Sequence, residues 1–324
     1  MSRDICIFLE FLEPQHKEMI DAAAARTGFT PHYFTLEQRA EAEECLQHCE
    51  VLYAHDVPMV RAAPESLKWY NCSYAGVDPY CKDDGVFKNS DCILTNSNVY
   101  GVTIAEHLIM VTLMLLRRMP EYEAIVADRK WSNQLPIRSI RDNEFTILGT
   151  GNIGSRAAEL LRAMGAGKIV GVSRSGKAEA GFYDEVYPIS ALDEVLKNTK
   201  VLLMALPGTA ETIGILSRER IALLPEEAYV INVGRGTAID QTALIEALNT
   251  GKLSGAALDV MDPEPLPADH PLWEARNCIL TPHVSGNMTL GYTRNENVRL
   301  FCENLENYAA GRPLQGHVDR KKGY

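Results

Sequence analysis

Three short segments place residue types at spacings that suit chemistry. In VINVGRGTAID (230–240) Arg235 stands between Gly234 and Gly236 at the end of an apolar run. Glycines remove side chains from a turn and let other atoms approach the backbone, so a small ligand resting against this turn is the expectation. In ILGTGNIGSRAAELLRAMG (147–165), Gly149, Gly151 and Gly154 have the Gly-x-Gly-x-x-Gly spacing. Alone, that spacing is a weak signal. Here it follows the apolar EFTIL and opens a helix-like stretch, a context in which the first glycine permits a tight turn, the second admits a pyrophosphate and the third lets helix and strand close together. The helix N-terminus then offers N–H groups and positive potential to the anion, and a dinucleotide site is expected. About 20 residues further on, an adenosine ribose with free hydroxyls is ordinarily met by a carboxylate. This chain instead reads KIVGVSRSGK, with Ser173, Arg174, Ser175 and Lys177. Cations beside hydroxyls suit a ribose 2′-phosphate, which predicts NADP as the preferred cofactor and NAD as the alternative.

The elements that must position these residues follow from length and pattern. A chain of 324 residues exceeds one typical domain, and 46% hydrophobic with 23% charged residues is an ordinary globular composition. A net charge of −11 argues against nucleic acid or an anionic membrane as partner. No apolar run reaches the roughly 18 residues of a membrane span, and the start MSRDICIFLEFLEPQ lacks a convincing signal-peptide cleavage site, so a cytoplasmic location is expected. Eight cysteines are too sparse for a disulfide scaffold. Cys45, His48 and Cys49 resemble half a zinc site without a second half and are read as a structural helix face; no metal is expected.

The runs ICIFLEF, VLYAH, SLKWYNCS and CILTN alternate with helix-like stretches such as EPQHKEMIDAAAARTG and LEQRAEAEECLQHCE. A long, mostly apolar helix is predicted from Tyr100 to Met119, too apolar to be solvated all round and suited to packing against a second subunit. Alternation then resumes with EFTILGTG, KIVGVSRS, VLLMAL, AYVINVGRG, LSGAALDV and NCILTPHV, the pattern of a doubly wound parallel sheet. TRNENVRLFCENLENYAAG reads as an amphipathic helix returning elsewhere. Connections near Asn96–Tyr100 and Gly286–Gly291 are read as hinges, giving one domain of 1–98 with 291–324 and another of 99–290.

YAGVD (74–78), the segment from Asn96 to His107 ending in AEH, GTGNIG (149–154), LPGTAETIGIL (206–216), NVGRG (232–236), ALDVMDPEPLP (257–267) and TPHVSG (281–286) occur in this order along the chain. Together they resemble the D-isomer-specific 2-hydroxyacid dehydrogenase family over nearly the whole length. The resemblance implies an α/β fold of two Rossmann-like, doubly wound parallel-sheet domains, with the nucleotide-binding domain inserted into a discontinuous substrate domain. It also implies catalysis in a cleft and a homodimer built on the helix around 100–119.

The resemblance implies the roles as well. Arg235 is the cation for the carboxylate and carbonyl oxygens of a 2-oxo acid, to which its planar guanidinium fork is suited. His283 is the general acid and base, and Glu264 is its paired carboxylate, whose charge favours the protonated form needed for reduction. The turn after Tyr74, with Ala75, Gly76 and Val77, holds the substrate carboxylate, and Arg235 and His283 meet substrate too. Asp259 meets the nicotinamide carboxamide, Leu206 and Pro207 form the wall under the adenosine, and Thr103 touches the cofactor. Asn152, Ile153, Thr212, Val233, Gly234 and Gly286 complete the cofactor contacts, with Arg235 and His283 reaching it as well. His107 and His270 have no such partners in sequence and are read as packing or loop residues. The expected function is reduction of a small 2-oxo acid such as glyoxylate or hydroxypyruvate. The alternatives are an NAD-dependent short-form phosphoglycerate dehydrogenase and a nucleotide-sensing, corepressor-like binding protein of the same fold.

Overall fold

The computed structural model describes residues 3–81, 85–178 and 181–323. The chain forms two compact units, Met1–Tyr100 with Asn287–Tyr324, and Gly101–Gly286. In the first unit, β1 (Arg3–Phe8), α1 (Pro14–Thr27), β2 (Phe29–Phe34), α2 (Arg39–Leu46), β3 (Val51–Ala54), α3 (Val57–Ala62), β4 (Trp69–Cys72), α4 (Asp78–Cys81) and β5 (Ile93–Thr95) follow in turn. Their strands make a parallel five-stranded sheet in the order β2-β1-β3-β4-β5.

The second unit begins with α5 (Gly101–Leu116) and α6 (Met119–Ala127). It continues as β6 (Glu144–Leu148), α7 (Asn152–Ala163), β7 (Lys168–Ser173), β8 (Glu185–Pro188), α8 (Leu192–Leu196), β9 (Val201–Met204), α9 (Arg218–Leu223), β10 (Ala228–Asn232), α10 (Gln241–Asn249), β11 (Leu253–Leu258) and β12 (Cys278–Leu280). Its parallel sheet has seven strands in the order β12-β11-β10-β9-β6-β7-β8. The strand order reverses between β6 and β9, which makes their carboxyl ends the switch point where doubly wound sheets bind ligands. Beyond Gly286 the chain re-enters the first unit as α11 (Gly291–Ala309).

The strand sequences explain these sheets. VLYA and WYNC are buried at every position, as central parallel strands require because both faces are covered. Period-two alternation sends Phe8, Leu52, Ala54 and Tyr70 into a core with Leu46 and Met59. Ile5, Ile7, Tyr53 and Trp69 point the other way, against Ile20 of α1 and Phe301 of α11. The Tyr53 and Phe301 rings stack with centroids 4.1 Å apart. In the second unit α5 lies close to β11: a Cβ on Gly255 would come within 2.9 Å of Leu115 Cδ2.

Three elements differ from the sequence reading. β2 was not foreseen because FTPHYF contains Pro31, which is tolerated where β2 ends the sheet. β8, EVYP, is an edge strand of the second sheet and is mostly exposed, so it lacks an apolar run. The helix predicted for 100–119 stops at Leu116; Arg118 takes a left-handed conformation, its guanidinium binds Glu121, and α6 starts with Pro120 in its first turn. Among the described residues, no helix is long and apolar enough to cross a membrane.

Candidate active site

The loops that leave the carboxyl ends of the second sheet carry most of the residues singled out in the sequence. At β6, Gly149 has φ 104°, and its N–H donates to Val172 O at 2.9 Å. Any Cβ there would lie 2.7 Å from Ala205 O, and one on Gly154 would lie 1.9 Å from Gly149 O, so turn, neighbouring strand and helix are in contact. A Cβ on Gly151 would meet nothing within 4 Å, which leaves open space in front of the turn. Gly151 is the N-cap of α7 and has no side chain to bond the first turn, and no acidic residue occupies that turn, so the helix N-terminus presents its N–H groups there. This is a cradle of the shape and polarity a pyrophosphate needs.

Next to it, β7 ends at Ser173. The Ser173 hydroxyl donates to Lys177 O at 2.8 Å and accepts from Lys177 N at 3.1 Å, and Thr150 Oγ1 donates to the same carbonyl. The hydroxyl is thus used to close the loop that displays Arg174, Ser175 and Lys177, all three exposed. After β9, Leu206 and Pro207 begin a loop folded on itself by Thr212, whose hydroxyl donates to Pro207 O at 2.7 Å and accepts from Thr209 N at 2.9 Å. Leu206 N and O crowd the position a Cβ on Gly234 would take, at 2.7 and 2.6 Å, so the Val233–Gly234 turn needs glycine there. Thr103 is buried in α5.

β10, β11 and β12 are neighbours, and Asn232, Leu258 and Leu280 stand in register at their ends. The segments carrying Arg235, Glu264 and His283 therefore leave one stretch of sheet edge. Asn232, itself buried, shapes the first: its Oδ1 accepts from Gly234 N at 3.0 Å and its Nδ2 donates to Arg235 O at 2.9 Å. Arg235 Nη1 donates to Gly234 O at 2.8 Å. A Cβ on Gly236 would fall 2.0 Å from the Met261 carbonyl, so this turn presses on the segment that carries Glu264. Glu264 is held from both sides: Oε1 accepts from Met261 N at 2.9 Å, and Oε2 lies 2.8 Å from His283 Nδ1. An ionised carboxylate can only accept, so Nδ1 carries a hydrogen in this bond and Nε2 is the nitrogen left to exchange a proton.

His283 has φ 54°, a left-handed conformation that costs a non-glycine residue about 1–2 kcal/mol. Asp259 offsets that cost. Its carbonyl, together with that of Thr281, accepts the His283 N–H at 2.9 Å. Its buried carboxylate accepts from Thr281 Oγ1 at 2.6 Å and Val284 N at 2.9 Å through Oδ1, and from Ser285 N at 3.0 Å through Oδ2, one residue before Gly286. The sequence assigned Asp259 only a ligand contact; in the structure it braces the histidine turn. Asp259→Ala is expected to lower stability by about 2–3 kcal/mol through the lost charge-assisted bonds. A thermal melt checks this, and an unchanged midpoint would remove Asp259 as a brace.

His107, read from sequence as a packing residue, has Nε2 3.3 Å from Thr281 Oγ1 and 3.9 Å from Asp259 Oδ1. Burial pushes its imidazole below the usual value, against the opposing charge of Asp259. Asn232, Thr281 and His107 were missed as parts of this site, although they lie inside the motifs NVGRG, TPHVSG and the segment ending in AEH. His270 caps a short 3-10 turn, its Nδ1 accepting from Leu272 N. Ala75, Gly76 and Val77 lie in the other unit, after β4. Cys45 and Cys49 have their sulfurs 3.7 Å apart at the end of α2, and burial raises both thiols.

Residues 109–285 match the model of the D-isomer specific 2-hydroxyacid dehydrogenase NAD binding domain. A glyoxylate/hydroxypyruvate reductase A of Klebsiella pneumoniae (strain 342) is 37% identical, over 69% of this chain and 70% of its own length. The crystal structure of a D-isomer specific 2-hydroxyacid dehydrogenase family protein from Aeromonas salmonicida subsp. salmonicida A449 superposes with a TM-score of 0.85 at 32% identity, covering 99% of this chain and 100% of that one. An NADPH-dependent glyoxylate/hydroxypyruvate reductase from Sinorhizobium meliloti, solved with NADP and sulfate, gives a TM-score of 0.83 at 28% identity with both chains fully covered. The glycine cradle at the switch point and the paired His283 and Glu264 thus sit in a chain that belongs to the D-isomer specific 2-hydroxyacid dehydrogenase family of oxidoreductases.

Proposed function

We propose that this protein is an NADPH-preferring reductase of small 2-oxo acids of the glyoxylate and hydroxypyruvate type. The observation that carries the reading is the 2.8 Å pairing of His283 Nδ1 with Glu264 Oε2, on a sheet edge shared with Arg235. The names of the Klebsiella and Sinorhizobium relatives support the substrate class, and the latter's bound NADP supports the cofactor.

The second unit would hold the dinucleotide, its pyrophosphate against Gly149, Gly151, Asn152, Ile153 and Gly154 and its 2′-phosphate against Arg174 and Ser175. When bound, the nicotinamide supplies the hydride. Arg235 then grips the carboxylate and the carbonyl oxygen, concentrating positive charge where negative charge develops. His283 Nε2 passes a proton to that oxygen, and Glu264 fixes the ring so that Nε2 faces it. We also assign the backbone of the Ala75–Val77 turn to the substrate carboxylate. Thr103, Leu206, Pro207, Thr212, Val233 and Gly286 line the cofactor. A steady-state panel of 2-oxo acids with NADPH and NADH tests the reading: turnover of glyoxylate or hydroxypyruvate is expected, and background rates on every acid would sink it.

A homodimer is part of the proposal. Met110, Met119 and Met164 are exposed, and with Ile109, Leu113 and Leu160 they line an apolar groove along α5. Such a contiguous patch marks an interaction surface. Light scattering is expected to give twice the 35.9 kDa chain mass, and a monomer at micromolar concentration would rule this surface out as a stable dimer contact. Eight free thiols fit a reducing compartment, in line with the cytoplasm.

A further inference from the structure

The turn after β4 is held from behind by a buried polar node. Ser73 O accepts two hydrogen bonds, from Tyr100 Oη at 2.7 Å and from Asn297 Nδ2 at 2.6 Å. Asn297 lies in α11 and is 1% exposed. Its Nδ2 also donates to Ser97 Oγ at 2.9 Å, and its Oδ1 accepts from Tyr53 Oη, so every polar atom of the amide is engaged. The next two carbonyls are drawn to the segment just beyond β5: Tyr74 O accepts from Ser97 N at 3.2 Å and Ala75 O from Asn96 Nδ2 at 2.7 Å.

Three successive carbonyls are thus tied inward. In a planar trans peptide the C=O and the following N–H point opposite ways. Pinning Tyr74 O and Ala75 O therefore turns the N–H groups of Ala75 and Gly76 outward, and among the described residues neither meets an acceptor. Two N–H groups side by side form a small concave anion site.

We propose that Asn297 and Tyr100 are positioning residues for substrate: through Ser73 O they fix the turn so that Ala75 and Gly76 present their N–H groups to the substrate carboxylate. This rests on the reading of that turn as the carboxylate holder. Neither side chain touches substrate. Their removal loosens the aim of the two donors and leaves the proton-transfer groups of the other unit in place.

The test is kinetic, on the full chain. Tyr100→Phe deletes one donor to Ser73 O and keeps the ring that stacks on Tyr74 at 6.0 Å, so it stands even if Asn297→Ala fails to fold. With hydroxypyruvate, KM is expected to rise about fivefold in Tyr100→Phe and more than about tenfold in Asn297→Ala, with kcat and the NADPH dissociation constant within about twofold of the parent. The preference for a 2-oxo acid over its 2-oxo amide is expected to narrow in step, which general damage to the fold would not cause. Parent-like KM and acid preference in Tyr100→Phe and in any folded Asn297→Ala would overturn the positioning role alone. Equal losses in kcat and NADPH affinity would also overturn it. A parent protein that turns over no 2-oxo acid would overturn the underlying functional reading as well.

Discussion

His283→Ala is expected to slow 2-oxo acid reduction by at least about a hundredfold while NADPH binding changes little, the range typical of a lost general acid. The geometry explains the size of the effect. Nδ1 is committed to Glu264, whose other oxygen is fixed by Met261 N, so the imidazole has one orientation and one nitrogen for proton exchange. Alanine removes the donor, and water in its place has neither the affinity for the proton nor the placement. The left-handed backbone keeps its strain, because alanine still carries a Cβ, but the brace from Asp259 is untouched. The variant should therefore fold, and the loss should appear in kcat. Glu264→Gln is a milder test of the same unit, since the amide can still accept from Nδ1–H but offers no charge. Turnover near the parent value in His283→Ala would dismiss the histidine as the proton donor.

Arg174→Ala is expected to raise the Michaelis constant for NADPH by about ten- to a hundredfold and to leave that for NADH nearly unchanged. A 2′-phosphate carries close to two negative charges and several acceptor oxygens, and a charge-assisted bond to it is worth about 1.5–3 kcal/mol, which converts to that ratio. Ser173 does not compete for the phosphate, because its hydroxyl is spent closing the loop onto Lys177. Discrimination is therefore expected to fall on Arg174, Ser175 and Lys177. The site is exposed, so added salt should weaken NADPH binding more than NADH binding. Equal catalytic efficiency with the two cofactors in the parent protein would defeat the assignment.

What could be read from the sequence was what repeats locally. Buried parallel strands such as VLYA, VLLM and AYVIN announce themselves as apolar runs, and Gly149-x-Gly151-x-x-Gly154 marks the switch point because a strand precedes it and a helix follows. Edge strands escaped: β2 carries a proline and β8 is largely solvent-exposed, so neither has the apolar continuity by which central strands are recognised. The end of α5 escaped for a different reason. Arginine is a good helix former, and only the left-handed turn at Arg118 closed by Glu121 stops the helix.

Within the site, the proposed chemical groups were visible as motif residues but their supports were not. Asp259 reads as one more motif carboxylate; that it holds the His283 turn through Val284 N and Ser285 N is a tertiary fact. Asn297 gives no signal at all, being one polar residue among many in an amphipathic helix, until folding buries it against Ser73 and Ser97.

Arg235, Glu264 and His283 are expected to act together on a 2-oxo acid with NADPH as reductant. Incubation of the purified protein with hydroxypyruvate and NADPH, followed by chiral analysis of the product, tests it most directly. D-glycerate is expected in amounts equal to the NADPH consumed, and almost none with His283→Ala. NADPH consumption by the parent no faster than by His283→Ala, or L-glycerate as the product, would contradict it.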